Sequence, residues 1–104
     1  MEIVLKNGKK LKLELSGITL EYLEEYPGGI EQLKKDKNGE IDSTGTTRRM
    51  CAINQIIYAL VASNYDEPLT YRQAVKLVDV KDYDSICEWI ISQIPVDSNI
   101  SHRF

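Results

Sequence analysis

Few residues of this chain have the types and spacing that chemistry requires. His102 is the only histidine, so the sequence contains neither a histidine-based catalytic triad nor a zinc-ligand pattern of cysteines and histidines. The adjacent acids Glu24 and Glu25, and the pair Asp82 and Asp84, could act as general acid and base, but neighbouring surface carboxylates are usually solvated charge. The sequence therefore predicts no enzyme, and no catalytic, cofactor or metal site.

The polar run 34–46 (KKDKNGEIDSTGT) comes closest to a metal motif. Asp36 and Asn38 fall where a helix-loop-helix calcium site has its third and fifth positions. Its first position would be Lys34 and its twelfth Gly45, so a cation replaces one carboxylate and the bidentate glutamate is missing. The run favours a plain loop, and it is the best candidate for a segment that only a partner orders.

Nucleic-acid binding is a weaker alternative. Arg48 and Arg49 begin a predicted helix and could contact phosphates, and the segment 70–94 could be read as a helix-turn-helix. The polar positions of its second helix include Asp84 and Glu88, which a phosphate backbone repels. Thirteen basic and sixteen acidic residues give a net charge of −3, which is unlike a strongly basic nucleic-acid binder.

Length and composition indicate one globular unit. The chain has 104 residues, of which 42% are apolar and 28% charged, as is typical of a single domain. Its N-terminus lacks the pattern of a signal peptide, and no apolar run approaches the ~18 residues of a membrane helix. We expect a cytoplasmic protein with one domain at 1–94 and a frayed tail at 95–104.

Both cysteines are expected to be reduced and buried. Cys51 and Cys87 lie far apart in the sequence, each on the apolar stretch of a predicted helix. Reduced cysteine packs there as a small hydrophobe.

The N-terminal sequence MEIVLKNGKKLKLEL alternates in the manner of a β-hairpin. A two-residue loop would mix apolar and charged side chains on one face. A three-residue loop at 6–8, with its glycine left-handed, pairs Ile3 with Leu11 and sets Glu2 opposite Lys12. We predict the second register, which gives one apolar face and a cross-strand ion pair.

Helical patterns fill the remainder. The predicted helices are one capped by Thr19 and stopped at 27–29, a short turn after it, a central helix from Thr46 to Ser63, one that starts with a Thr70/Gln73 capping box, and one capped by Asp82 that ends near Ile94. The central helix has Met50, Ile53, Ile57, Leu60 and Val61 on its apolar side. The predicted architecture is α+β, an N-terminal β-hairpin packed on a small bundle of three to four helices.

The last predicted helix has an unusually wide apolar face. Its apolar side chains fan over roughly 200°, against ~100° for an ordinary surface helix. Either the chain's own core surrounds this helix, or its outer edge is left for a partner protein. Six tyrosines and one tryptophan in the chain favour an interface. The predicted protein-interaction residues are Tyr83, Trp89, Ile90, Ile91 and Ile94.

The order of elements resembles a known family. The hairpin, the glycine-broken helix LEYLEEYPGGIEQL, the central helix INQIIYALVAS and the phrase LTYRQAVKLVDVKDYDSICEWI are together similar to small tail assembly chaperones of long-tailed phages and prophages. The resemblance implies a non-enzymatic protein that binds tape-measure and tail-tube proteins in the host cytoplasm until the tail polymerises. A homo-oligomer, a connector-type virion component and a helical DNA-binding or regulatory module stay open as alternatives.

Overall fold

The computed structural model describes residues 1–38 and 45–94. In these ranges the chain forms two strands, five α-helices and one short 3-10 helix. Their bounds are β1 (Glu2–Val4), β2 (Lys10–Lys12), α1 (Gly17–Glu24), α2 (Gly29–Asn38), α3 (Gly45–Asn64), α4 (Tyr71–Leu77), the 3-10 helix (Val80–Asp82) and α5 (Tyr83–Gln93). The predicted α+β architecture, a hairpin on a small helical bundle, is confirmed.

The hairpin has the predicted register. Ile3 lies opposite Leu11 in an antiparallel ladder, and the amide of Leu5 donates to the carbonyl of Lys9 at 2.8 Å to close a three-residue loop. Gly8 ends that loop with a φ of 88°, which glycine adopts without the strain a Cβ would impose.

One face of the hairpin packs into the core, and the other is exposed. Its buried side chains are Ile3, Leu5, Leu11 and Leu13. Glu2 lies opposite Lys12 as predicted, but the predicted ion pair between them is wrong: the Lys12 ammonium lies 3.6 Å from Glu14. Both charges are exposed, where such pairs contribute little.

Helix α1 begins earlier than predicted, and Thr19 is not its cap. Ser16 is the N-cap, and its side chain and that of Thr19 exchange bonds with each other's backbone amides in a capping box. Thr19 is fully buried, with its hydroxyl 2.7 Å from that of Ser63 on α3. A threonine can occupy this buried site because its hydroxyl is hydrogen-bonded.

Helix α2 extends into the predicted loop 34–46. It runs to Asn38, and α3 begins at Gly45, so the loop prediction is wrong at both ends. The side chains of Gln32 and Asp36 are hydrogen-bonded at 2.9 Å, an i,i+4 contact that supports the helix through the polar run. The remainder of the loop, residues 39–44, lies outside the described residues.

Helix α3 is the central packing element, within one residue of its predicted bounds at each end. Helices α1, α2, α4 and α5 all contact it. Its buried side chains are Ala52, Ile53, Ile56, Ile57, Ala59, Leu60 and Val61. Met50, predicted on the apolar side, is 43% exposed, although Ile57 and Val61 on the same side of the helix are buried. The chain therefore covers this side of α3 only after its first turns.

The last two helices start differently. The predicted capping box is confirmed, since Thr70 and Gln73 exchange hydrogen bonds of 3.0 and 3.1 Å. Asp82 precedes α5 but makes no side-chain capping bond, so its predicted role is wrong. Asp79 instead caps the 3-10 helix by accepting from the amide of Lys81 at 3.1 Å.

One hydrophobic cluster includes buried residues from the hairpin and from all five α-helices. None of the helices in the described parts of the chain has both the length and the apolar character needed to cross a membrane. The predicted tail, residues 95–104, lies outside the described residues.

Candidate functional site

The wide apolar face of α5 packs mostly inside the chain. Of the five predicted interaction residues, Tyr83, Ile90 and Ile94 are buried, with Ile90 fully so. Helix α5 packs on α3, and the Tyr83 hydroxyl donates to the carbonyl of Val75 on α4 at 3.1 Å. More than one neighbour therefore shares this face, which explains its breadth. Only Trp89 and Ile91, both half-buried, leave an outer edge.

An open stripe lies on another side of α3. Its residues recur at helical spacing and are exposed or half-buried: Arg48, Cys51, Asn54, Gln55, Tyr58 and Ala62. Helix α1 borders the stripe on one side and α4 on the other. We call this surface the tyrosine groove and define it by its floor, Cys51, Gln55 and Tyr58, and by its walls, Tyr22 and Tyr26 on the α1 side and Tyr71 on α4.

Three tyrosines cross the groove in edge-to-face contact. The ring centroids of Tyr22 and Tyr58 are 4.9 Å apart with a 65° angle between the rings. Those of Tyr58 and Tyr71 are 5.5 Å apart at 61°. This geometry is attractive between aromatic rings, so the cluster ties three helices together. Tyr71 nevertheless remains 42% exposed.

Polar side chains fix the wall next to α1. The side-chain amide of Gln55 donates to the backbone carbonyl of Tyr22 at 2.7 Å. This bond spans from α3 to the last turn of α1, where the same carbonyl also accepts from the amide of Glu25 at 3.3 Å. The groove floor and its α1 wall are therefore held together by a side-chain bond as well as by ring contact.

One end of the groove opens into a cavity of about 560 Å³, a size typical of ligand pockets. Its lining combines two aromatic rings, a proline and a thiol with amide and charged groups. The lining residues are Tyr26, Pro27, Gln32, Asp36, Arg48, Cys51, Gln55 and Tyr71.

Hydrogen bonds hold the Asp36 carboxylate in place in the wall of this cavity. The Tyr26 hydroxyl donates to one of its carboxylate oxygens at 2.6 Å, and the Gln32 amide donates to the other at 2.9 Å. These bonds, together with the charge of Arg48, lower the pKa of Asp36. Burial and the hydrogen bond to Asp36 raise the pKa of Tyr26. At neutral pH the cavity wall therefore holds an ionised carboxylate and a neutral phenol.

The two cysteines have opposite environments. Cys87 is buried, and desolvation raises its pKa to about 11. Cys51 is exposed, so the prediction that it is buried is wrong. It lies on the open stripe of α3, and none of the described helices buries it. The groove therefore contains an exposed thiol, whose rate of alkylation falls if a partner covers the groove.

A second, smaller groove lies beside the hairpin. Its volume is about 380 Å³, and Tyr65, Leu69, Gln73, Lys76 and Leu77 line it. The hairpin loop lies close by: the amide of Lys6 donates to the Leu77 carbonyl at 2.8 Å, and the Lys9 ammonium lies 2.9 Å from Asp66 and 4.6 Å from the ring centre of Tyr65. These contacts attach the hairpin to α4 and to the segment between α3 and α4.

The acidic residues considered for chemistry are not assembled into a site. Glu24-Glu25 and Asp82 with Asp84 lie outside the cavity lining. Asp36 from the calcium-like run is engaged on α2, and much of that run falls in 39–44, outside the described residues. Among the residues that the structure describes, no three or more histidine, cysteine, aspartate or glutamate side chains could together hold a metal ion.

The tyrosine groove was missed from the sequence, although tyrosines were expected at an interface. Tyr22, Tyr58 and Tyr71 each lie at the edge of the apolar face of a different helix. That edge position was the available signal, but sequence alone did not show that the three edges meet.

No known protein family, curated protein or solved structure matches this chain, so the groove itself is the guide to function.

Proposed function

We propose that this protein is a non-enzymatic tail assembly chaperone of a phage or prophage, which holds tape-measure and tail-tube proteins before the tail polymerises. The tyrosine groove carries the proposal. In it a segment of a tail protein lies along the open stripe of α3, against Tyr22, Tyr58 and Tyr71. The layout of the sequence supplies the family resemblance, and the groove supplies a surface for binding.

Tyrosine suits such a surface for two physical reasons. Its ring gives a large apolar contact at low conformational-entropy cost, and its hydroxyl can exchange hydrogen bonds with water or with a partner. Tyr71 is 42% exposed and Tyr22 and Tyr58 are half-buried, so the groove retains apolar area for a partner.

Co-expression tests the proposal. The chain is produced with the neighbouring tape-measure or tail-tube protein and purified at micromolar concentration. We expect a complex that Tyr71→Ala weakens by at least about tenfold, as for an aromatic residue central to an interface. Val80→Ala is the matched control, because Val80 is 68% exposed and lies outside the groove.

Two outcomes contradict the proposal: neither tail protein co-purifies, or the Tyr71→Ala variant binds as well as the original chain. Trp89→Ala and Ile91→Asp test the edge of α5 in the same assay. If they abolish binding while Tyr71→Ala does not, the interface lies on α5 instead. A chaperone is also expected to be absent from purified particles, whereas a connector-type component remains in them.

A further inference from the structure

This chain already holds one basic side chain between a carboxylate and a tyrosine ring. The Lys9 ammonium lies 2.9 Å from the carboxylate of Asp66 and 4.6 Å from the centre of the Tyr65 ring. The carboxylate attracts the ammonium by its charge, and the face of the ring attracts the same cation. The contact shows which two kinds of group bind a cation on this protein.

The cavity at the end of the tyrosine groove has the same two kinds of group. Asp36 lines it together with Tyr26 and Tyr71. Each carboxylate oxygen of Asp36 accepts one hydrogen bond, from Tyr26 or from Gln32, and both donors are neutral. A carboxylate has about four acceptor positions. These bonds therefore orient Asp36 and leave its charge and part of its hydrogen-bonding capacity for a ligand.

No basic side chain in the described part of the chain pairs with Asp36. The ion pairs found among the described residues each use a lysine of the hairpin region. Arg48 also lines the cavity, yet it is exposed and forms no ion pair with a described carboxylate. Its charge acts on Asp36 from a distance, through solvent that screens it. The cavity therefore presents a carboxylate that no described side chain neutralises by direct contact.

Building on the proposed chaperone function, we propose that this cavity binds a lysine or arginine side chain of the tail-protein segment that occupies the tyrosine groove. The charged end of that side chain pairs with Asp36 and lies against the exposed ring of Tyr71. Cys51 and Tyr71 belong both to the groove and to the cavity lining, so a segment in the groove passes the mouth of the cavity. Its basic side chain anchors it there.

Tyr26 and Gln32 are positioning residues in this site. They hold the Asp36 carboxylate in one orientation, so little conformational freedom is lost when the cation binds. Arg48 has the opposite effect, because its like charge repels an incoming cation. The site therefore predicts opposite signs for the removal of its two charges.

Charge removal in the complex with a tail protein tests this pair of signs. Asp36→Asn keeps the shape of the side chain and should weaken the complex about tenfold, as for the loss of a charged hydrogen bond. Arg48→Gln should strengthen it about twofold. The matched controls Asp84→Asn and Arg72→Gln remove the same charges from exposed positions outside the cavity lining and should leave the affinity unchanged. Biolayer interferometry measures each dissociation constant.

Small probes test the cavity without a partner. Butylguanidinium, butanol and butyrate carry the same alkyl group with a positive, a neutral and a negative head. In NMR titrations of the full chain, butylguanidinium should shift the backbone amides of Asp36 and Tyr71 at lower concentration than butanol does, and butyrate should bind most weakly. The order should disappear in Asp36→Asn. Because the first titration uses the original chain, it decides the question even if that variant does not fold.

Three results overturn the inference: butylguanidinium binds no better than butanol, Asp36→Asn leaves the affinity for the tail protein unchanged, or Arg48→Gln weakens the complex, as an anionic ligand requires. If Tyr71→Ala still weakens the complex in any of these cases, the chaperone proposal stands and only the basic anchor is rejected. If no tail protein binds but butylguanidinium does, the proposed function and the tail-protein source of the cation are both rejected.

Discussion

Helix α5 and the tyrosine groove both present apolar surface, yet only the surface of α5 is closed by the rest of the chain. The α5 side chains Ile86, Cys87 and Ile90 are almost completely buried, whereas Tyr71 at the groove keeps 42% of its surface exposed. A wide apolar face in the sequence thus reflects how many neighbours a helix has in its own chain. It does not by itself indicate a partner.

Residue type separates the two surfaces. The closed face consists largely of isoleucine and cysteine, whose side chains stabilise the fold only when they are removed from water. The open face consists of tyrosine, which tolerates water at one end and an apolar contact at the other. The two surfaces therefore differ in composition, but packing decides which one is buried: Tyr83 lies on the closed face, where its hydroxyl donates to the carbonyl of Val75.

The largest expected effect is on stability, and it falls on the closed surface. Ile90→Ala removes a side chain that is 0% exposed and should lower the free energy of unfolding by about 2 to 5 kcal/mol. Tyr71→Ala should cost distinctly less, because its ring is partly exposed already. Urea denaturation of both variants measures the difference, and equal losses would mean that the two surfaces are not different in kind.

A smaller stability effect tests how the α1 wall is held. Thr19→Val keeps the shape but removes the hydroxyl that bonds Ser16 and Ser63, so it should cost about 1 to 3 kcal/mol. Ser92→Ala is the control, since Ser92 is exposed and its hydroxyl donates to the carbonyl of Trp89 within α5. If the valine variant unfolds at the same urea concentration as the original chain, the buried hydroxyl pair does not anchor α1 to α3.

The smallest effect concerns the cavity at the end of the groove. The pKa of Asp36 is lowered by the hydroxyl of Tyr26 and the amide of Gln32. Its stabilising contribution is therefore complete above its ordinary pKa of about 4 and is lost as pH falls through the lowered value of the folded state. In Tyr26→Phe the pKa of Asp36 should rise towards the ordinary value, which a carboxyl NMR titration can follow. An unchanged titration would mean that the hydroxyl does not set this charge.

Local sequence patterns were enough to predict much of the fold. The hairpin register followed from alternation and one glycine, and the start of α4 followed from the Thr70/Gln73 capping box. Errors occurred where two reasonable local choices competed: Ser16 rather than Thr19 caps α1, and Asp79 rather than Asp82 makes the capping bond before α5. Each depends on a backbone geometry that the sequence leaves undetermined by a few residues.

The site was harder to predict than the fold because it forms where the edges of three different helices come together. Tyr22, Tyr58 and Tyr71 are far apart in sequence, and only the packing of α1 and α4 on α3 brings their rings together. Conversely, Tyr83, Ile90 and Ile94 were predicted as contacts from one helix alone, without knowledge of the neighbours that bury them. Tertiary packing decides both outcomes.

The most direct test of the central claim uses the thiol in the groove. Cys51 is exposed on the groove floor and Cys87 is buried, so alkylation by iodoacetamide, followed by mass spectrometry, reports on Cys51 while Cys87 serves as the internal control. In a complex with a tape-measure or tail-tube protein, verified by size exclusion, Cys51 should react at least about tenfold more slowly than in the free chain, as expected for a site occluded in most molecules. An unchanged rate at Cys51 in the intact complex would contradict binding in the tyrosine groove.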